Sequence, residues 1–294
     1  MSMRYSTIIV LLLAFLTSCE KEINIDYHEV DPMVVIEGRV TNEGTEVQVR
    51  RSRSVNDSVH GPSLPGADIS IYDDRGEHRL TYDPQDGCYK TDLIGTPGHT
   101  YRMEVEFEGK HYEGVSTMPK PSSIISTDFF WLKMMDERLL VDVMWATDPE
   151  PEERNYFLYR VDRRTDNPHI TKRMQQRAYR WNVFDDRGNP PGRVYRDIHC
   201  MMEQTAIDDK EDDWDQILYD GDTIMLQLFT IDLRAYDYFR SLIAGQSQGA
   251  NPESNISGGA LGYFMAAGVA RADTVVFHLD EVVEYTAPER SDTK

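Results

Sequence analysis

Apolar residues fall along this chain in three successive patterns. Residues 8–16, IIVLLLAFL, form one unbroken apolar run, and residues 20–32, EKEINIDYHEVDP, are polar and acidic. From residue 33 to 117 apolar and polar positions alternate in short runs: MVVIEGRV, TEVQVRRS, ADISIYDD, RLTYDP, GCYKTD, YRMEVEFEG and KHYEGVS. A period of two puts one face of a strand on a core and the other in water. Asp73-Asp74-Arg75-Gly76, Asp86-Gly87 and Glu108-Gly109 stand where tight turns are needed between such strands.

The segment TMPKPSS at 117–123 interrupts the alternation, because two prolines bar both a helix and a central strand. Alternation then resumes in DFFWLK, RLLVDVMWA, YFLYRVD, AYRWNVF, TIMLQLFTI, LGYFMAAGV and DTVVFHL. One stretch has a different period: Leu233, Tyr236, Phe239 or Arg240, and Ile243 recur at helical spacing, with Asp232 placed to cap them. The expected fold class is all-β. It comprises two tandem antiparallel β-sandwich domains, transthyretin/immunoglobulin-like over 33–118 and fibronectin-like over 119–283. One helix near 232–244 is inserted in the second, and 284–294 form a flexible tail.

The first apolar run spans nine residues, short of the roughly twenty a membrane-crossing helix needs. With Arg4 before it and small residues after it, residues 1–18 read as an export signal. Leu16-Thr17-Ser18-Cys19 fits the lipobox of bacterial lipoproteins, so Cys19 is the expected lipidation site and the lipid the expected membrane contact. Acyl chains there hold through about 0.8 kcal/mol per buried methylene. Residues 19–32 become an acidic tether, and Glu20-Lys21-Glu22 resembles the tag that sends Bacteroidota lipoproteins to the cell surface. The expected location is the outer membrane, lipid-anchored and facing the cell surface, with the periplasmic face as the alternative.

Charge narrows the partners. Without the signal, 30 basic residues stand against 51 acidic ones. A chain so acidic repels phosphate backbones, so no nucleic-acid partner is expected. Residues 208–215, DDKEDDWD, gather six carboxylates. EF-hand spacing fails there, because Trp214 stands where glycine is required. A looser calcium site remains open beside the plainer reading of a solvated loop, and no other cofactor or metal is expected. Residues 154–196 carry eleven basic against four acidic side chains, and 203–222 carry nine acidic against Lys210. The two segments most simply complement each other; alternatively Arg177, Tyr179, Arg180 and Trp181 form a face for an anionic glycan or a partner protein. Arg50, Arg51 and Arg53 read as the charged rim of an edge strand. Cys88 and Cys200 read as buried free thiols, with a bridge as the alternative in an oxidising compartment.

Several of these residues together resemble known families. Gly38-Arg39-Val40-Thr41, Leu64-Pro65-Gly66-Ala67-Asp68-Ile69, Asp86-Gly87-Cys88-Tyr89 and Gly98-His99-Thr100-Tyr101 follow in the order of the carboxypeptidase-regulatory, transthyretin-like module. Over nearly its whole length the chain resembles the Bacteroidota lipoproteins of domain-of-unknown-function family number 4249. The resemblance rests on the lipobox, VIEGRVT, VRRSRS, the Pro-Gly-Ala segment, and a closing Asn-Pro…Ser-Asn-Ile-Ser-Gly-Gly…Gly-Tyr-Phe. It implies no reaction. It implies a place beside TonB-dependent transporters in nutrient uptake.

Candidate chemistry concentrates in GQSQG at 245–249, the G-x-S-x-G spelling of a serine nucleophile elbow. That elbow needs a strand before the serine and a helix after it; here a helix precedes Ser247 and a polar loop follows. Gly245 is therefore expected as a helix C-cap, and no catalytic residue is assigned. Beyond it, Asn255, Gly258, Gly259 and Gly262 are expected to form a tight structural loop before the strand GYFMAAGV. The function these features imply is a non-enzymatic binding or accessory component taking a glycan or peptide ligand. The alternatives are a cell-surface hydrolase of glycan or peptide, and an adhesive or structural spacer.

Overall fold

The alternating runs fold as their period predicts. The computed structural model describes residues 32–52, 63–135, 137–166, 178–202, 218–246 and 250–285. Strand β1 (Val34–Thr41) buries Ile36 and Val40 while Glu37 and Arg39 take the other face, and β2 (Gly44–Arg51) meets it with Val47 and Val49. Next come β3 (Asp68–Asp73), β4 (Gly76–Arg79), β5 (Thr81–Asp83), β6 (Cys88–Thr91), β7 (Thr100–Phe107) and β8 (Lys110–Thr117). β4-β3-β7-β8 form one sheet, whose Ile69, Ile71, Tyr101, Met103 and Val105 pack against Ile36, Val40, Val47 and Val49. Each such side chain, fully buried, contributes about 1.5–3 kcal/mol.

The second half adds β9 (Ile124–Met134), β10 (Glu137–Thr147), β11 (Tyr156–Arg164), β12 (Arg180–Asp185), β13 (Arg193–Met202), β14 (Thr223–Ile231), β15 (Leu261–Arg271), β16 (Val275–Val276) and β17 (Val283–Glu284). β13-β10-β9-β17 form a sheet that covers the inner face of β11 and β14 through Leu140, Met144, Phe157, Leu226 and Leu228. The third sheet runs β12-β11-β14-β15-β1-β2-β6-β5, with β16 on β14. Its two halves join where β15 pairs in parallel with β1, from Val35↔Leu261 to Thr41↔Ala267.

The long sheet runs across the expected boundary at 118/119, and Ile256, Phe264 and Ala266 from beyond it pack in the first core. The described residues from Pro32 onward form one compact unit. Pairing is also not wholly antiparallel, since β15–β1 and β17–β9 run in parallel. Nor is the proline segment a loose joint. Met118 lies fully buried in the first core, and the Ser122 amide donates to Thr230 Oγ1 at 3.0 Å.

The helix α1 (Leu233–Gln246) follows β14, and Asp232 Oδ1 caps it by accepting from the Ala235 amide at 2.8 Å. Its buried face keeps Tyr236 and Phe239 of the expected stripe but not its two ends. Leu233 and Ile243 are exposed, whereas Ala235, Tyr236, Tyr238, Phe239 and Leu242 pack on Leu158, Phe229, Met265 and Ala267. Gly245 is also not a left-handed cap. It lies inside the helix, and a Cβ there would stand 2.6 Å from the Ala250 carbonyl oxygen, so close approach explains the glycine.

Candidate functional site

α1 covers one end of the outer face of the long sheet and leaves the other end open. Along β11, Leu158 packs with the helix cluster, while Arg160 and Asp162, one turn of the pleat further on, line an open trough. Six neighbouring strands, β11, β14, β15, β1, β2 and β6, contribute to this trough of about 450 Å³. Strand register aligns its side chains in two rows. Arg160 lies opposite Gln227, which lies opposite Arg271; Arg39 lies opposite Glu46, which lies opposite Lys90.

Four cations, Arg39, Lys90, Arg160 and Arg271, share the lining with the carboxylates Glu43, Glu46 and Asp162. They are locked in pairs. Arg39 Nη2 stands 2.9 Å from Glu46 Oε1, and Arg160 forks onto Asp162 through Nε and Nη2 at 2.9–3.1 Å. Arg271 Nε donates to Glu43 Oε1 at 2.6 Å, and that hydrogen bond holds the Glu43 carboxyl below the usual carboxylate range. Lys90 bonds Asp86 and, at 3.4 Å, Asp83. The buried Phe229 and Val269 close the floor, while Thr41 and Thr45 are buried and already donate their hydroxyls to the Gly44 and Leu93 carbonyls at 2.9 and 2.7 Å. Side chains fixed on strands give a binding surface little freedom to lose.

A second concentration of polar groups lies inside the second half. β10 and β13 slip register between Asp142 and Val143, and the resulting bulge buries Ile198 and His199 in succession. His199, 4 % exposed, then faces Asp142, 3 % exposed, across the strand pair. His199 Nδ1 lies 3.1 Å from Tyr179 Oη, and the two rings stack with centroids 5.7 Å apart. The Arg163 guanidinium stands 4.4 Å from the Tyr179 ring and 3.7 Å from the Asp222 carboxylate. Burial, helped by the charges of Arg180 and Arg163, lowers His199 to about 3; burial, helped by Asp128, pushes Asp142 up to about 8. Both groups are therefore neutral near pH 7, and among the described residues Asp142 Oδ1 and His199 Nε2 have no hydrogen-bond partner.

The sequence-predicted residues scatter around these sites. Cys19, Arg53, Arg177, Ser247 and the acidic run 208–215 lie outside the described residues. Tyr179, Arg180 and Trp181 do not all share a face: Tyr179 and Arg180 both reach His199 Nδ1, at 3.1 and 3.4 Å, whereas Trp181 packs edge-on to Phe239 of α1. Alternation along β12 sends Arg180 and Trp181 to opposite sides. Cys88 is buried as expected and burial pushes its thiol up, but Cys200 is exposed; both are free. β2 is an inner strand, yet β6 pairs only Thr45–Val47 of it, leaving the end with Arg50 and Arg51 unpaired on that side by β6. Arg50 binds Glu37, and Arg51 binds Glu108.

Asn255, Gly258 and Gly259 lie in the loop before β15, and Gly262 is the second residue of that strand, opposite Ile36. The Asn255 amide donates to the Phe264 carbonyl and accepts from the Phe264 amide, both at 2.8 Å, as a strand would. Gly258, Gly259 and Gly262 all have positive φ. His278 precedes the short turn Leu279–Glu281 and Asp280 lies within it, and both meet Asp220 with ligand atoms within 4.8 Å of one another. Asp220 there already accepts from the Leu279 amide at 2.8 Å.

Sequence reasoning missed the trough because alternation says only that Arg39, Arg160 and Arg271 point away from a core. It missed β13 because RVYRDIHCMM places Arg196 and His199 toward the interior, which breaks the expected pattern.

Comparison with known proteins adds one match. The family described as Domain of unknown function (DUF4249) matches residues 20–273. A search of curated proteins found no match.

Proposed function

The chain belongs to the DUF4249 family, and we propose that it is a lipid-anchored, non-enzymatic binding protein of the bacterial outer membrane. In this reading Cys19 holds it in the membrane of a Bacteroidota cell, the acidic segment 20–32 tethers it at the surface, and it serves a TonB-dependent transporter. The trough carries the binding part of the reading: a polar surface assembled from six strands, preorganised by its own ion pairs, beside a helix that leaves it open. Its volume lies within the roughly 300–1,000 Å³ of small-molecule sites.

Two measurements test it. Cys19→Ala should abolish palmitate labelling and membrane retention; a variant that stays in the membrane fraction removes the anchor. Cross-linking and purification from native membranes should recover an outer-membrane transporter. Recovery from the parent chain of the lipoprotein alone, at every cross-linker length, removes the transporter role.

A further inference from the structure

We infer that the trough takes a neutral, hydroxyl-rich oligosaccharide. This rests on the reading of the trough as a binding site and goes further by naming the ligand's chemistry. Each arginine of the lining already has a carboxylate, in the pairs Arg39–Glu46, Arg160–Asp162 and Arg271–Glu43. An anionic ligand must displace one of those carboxylates, and a cationic ligand one of the guanidinium groups. Either exchange trades one ion pair for another and gains little.

A peptide fits no better. Strand addition needs a free sheet edge, and the trough lies over the middle of the sheet, between β11 and β6. Side-chain anchoring needs apolar pockets, and the apolar lining here is Phe229 and Val269, both sealed in the floor.

A sugar hydroxyl, by contrast, both accepts and donates. It can accept from an arginine Nη and donate to the carboxylate beside it without parting them, and vicinal hydroxyls match a guanidinium fork. The rows Arg160, Gln227, Arg271 and Arg39, Glu46, Lys90 repeat that opportunity across six strands. Gln227 extends it without adding charge.

The test uses the full lipidated chain in detergent, titrated calorimetrically with maltohexaose, xylohexaose and mannohexaose. Hexagalacturonate and a hexapeptide mixture serve as the charged and peptidic probes. The expected result is binding of a neutral hexasaccharide that is insensitive to added salt and weakened about tenfold or more in Arg160→Gln and Arg271→Gln. Both variants keep hydrogen-bonding side chains, and far-ultraviolet circular dichroism checks their fold. If hexagalacturonate or peptide binds and these variants weaken it, the saccharide assignment falls while the trough survives as a site. If no probe shows variant-sensitive binding, both the assignment and the trough reading fall.

Discussion

Asp142 and His199 give the fold opposite pH dependences. The folded chain holds the Asp142 proton up to about pH 8, against an ordinary value of 3.8. Through that window the unfolded chain has lost a proton that the folded chain keeps, so stability falls by about 1.4 kcal/mol per unit as pH rises. His199 titrates at about 3 instead of 6.5, so stability is lost as pH falls through that window. Between about pH 4 and 6.5 the two slopes oppose each other; from 6.5 to 8 only the Asp142 slope remains. Thermal melts of Asp142→Asn should lack that alkaline decline and keep the acid one, and an unchanged decline would exonerate Asp142.

The glycines of the 255–262 segment separate on similarly local grounds. A Cβ on Gly262 would stand 1.9 Å from the Ile36 carbonyl oxygen, and one on Gly258 2.3 Å from that of His111, while one on Gly259 would meet nothing within 4 Å. Gly262→Ala should therefore fail to yield folded protein, whereas Gly259→Ala should cost only about 1–2 kcal/mol for its left-handed backbone. Urea denaturation reads the difference. The sequence marks all these glycines alike, because the atoms that discriminate among them come from β1 and β8.

At the scale of elements, Asp232 ties α1 to β8. While Oδ1 caps the helix, Oδ2 accepts from Ser116 Oγ at 2.6 Å and the Thr117 amide at 3.3 Å, and Ser116 Oγ accepts from the Ala266 amide at 2.7 Å. Asp232→Ala should lower stability by about 2–4 kcal/mol, the loss of a cap together with orphaned donors. Asp232→Asn should recover most of it in the same denaturation assay; equal losses would show that charge at this position outweighs its hydrogen bonds. The period alone located α1 and most strands, because their burial follows one face. It placed Tyr236 and Phe239 correctly but missed the ends of α1's stripe, because contact with β14 and β15 turns the face toward Ala235 and Leu242 instead of Leu233 and Ile243. It also lost DTVVFHL as a long strand: only Val275–Val276 pairs, and the chain turns at Leu279–Glu281.

For the whole molecule, the β1–β15 pairing decides what can exist alone. Residues 33–118 by themselves would lack Ile256, Phe264 and Ala266 from their core and the parallel strand partner of β1. That fragment should show poor amide dispersion by NMR and no cooperative melt, in contrast to the full chain; a sharp melt would restore the view of separable domains. The trough has the same dependence, since Arg39 and Glu46 come from the first half and Arg160 and Arg271 from the second. One-dimensional patterns read the layers of each half correctly, because burial alternates locally. They could not read the partnership of distant strands. β15, buried on six consecutive positions by a sheet on one side and α1 on the other, has no alternation from which to infer its neighbours.

That partnership also sets an order of events during biogenesis. β1 is among the first strands to be synthesised, and its parallel neighbour is among the last. Until β15 arrives, one side of β1 is an unsatisfied template, and closing so long a loop is slow. Until then the chain carries an adhesive seam, the state in which β-proteins aggregate. Its folding yield should depend on holding chaperones more steeply than its final stability would suggest.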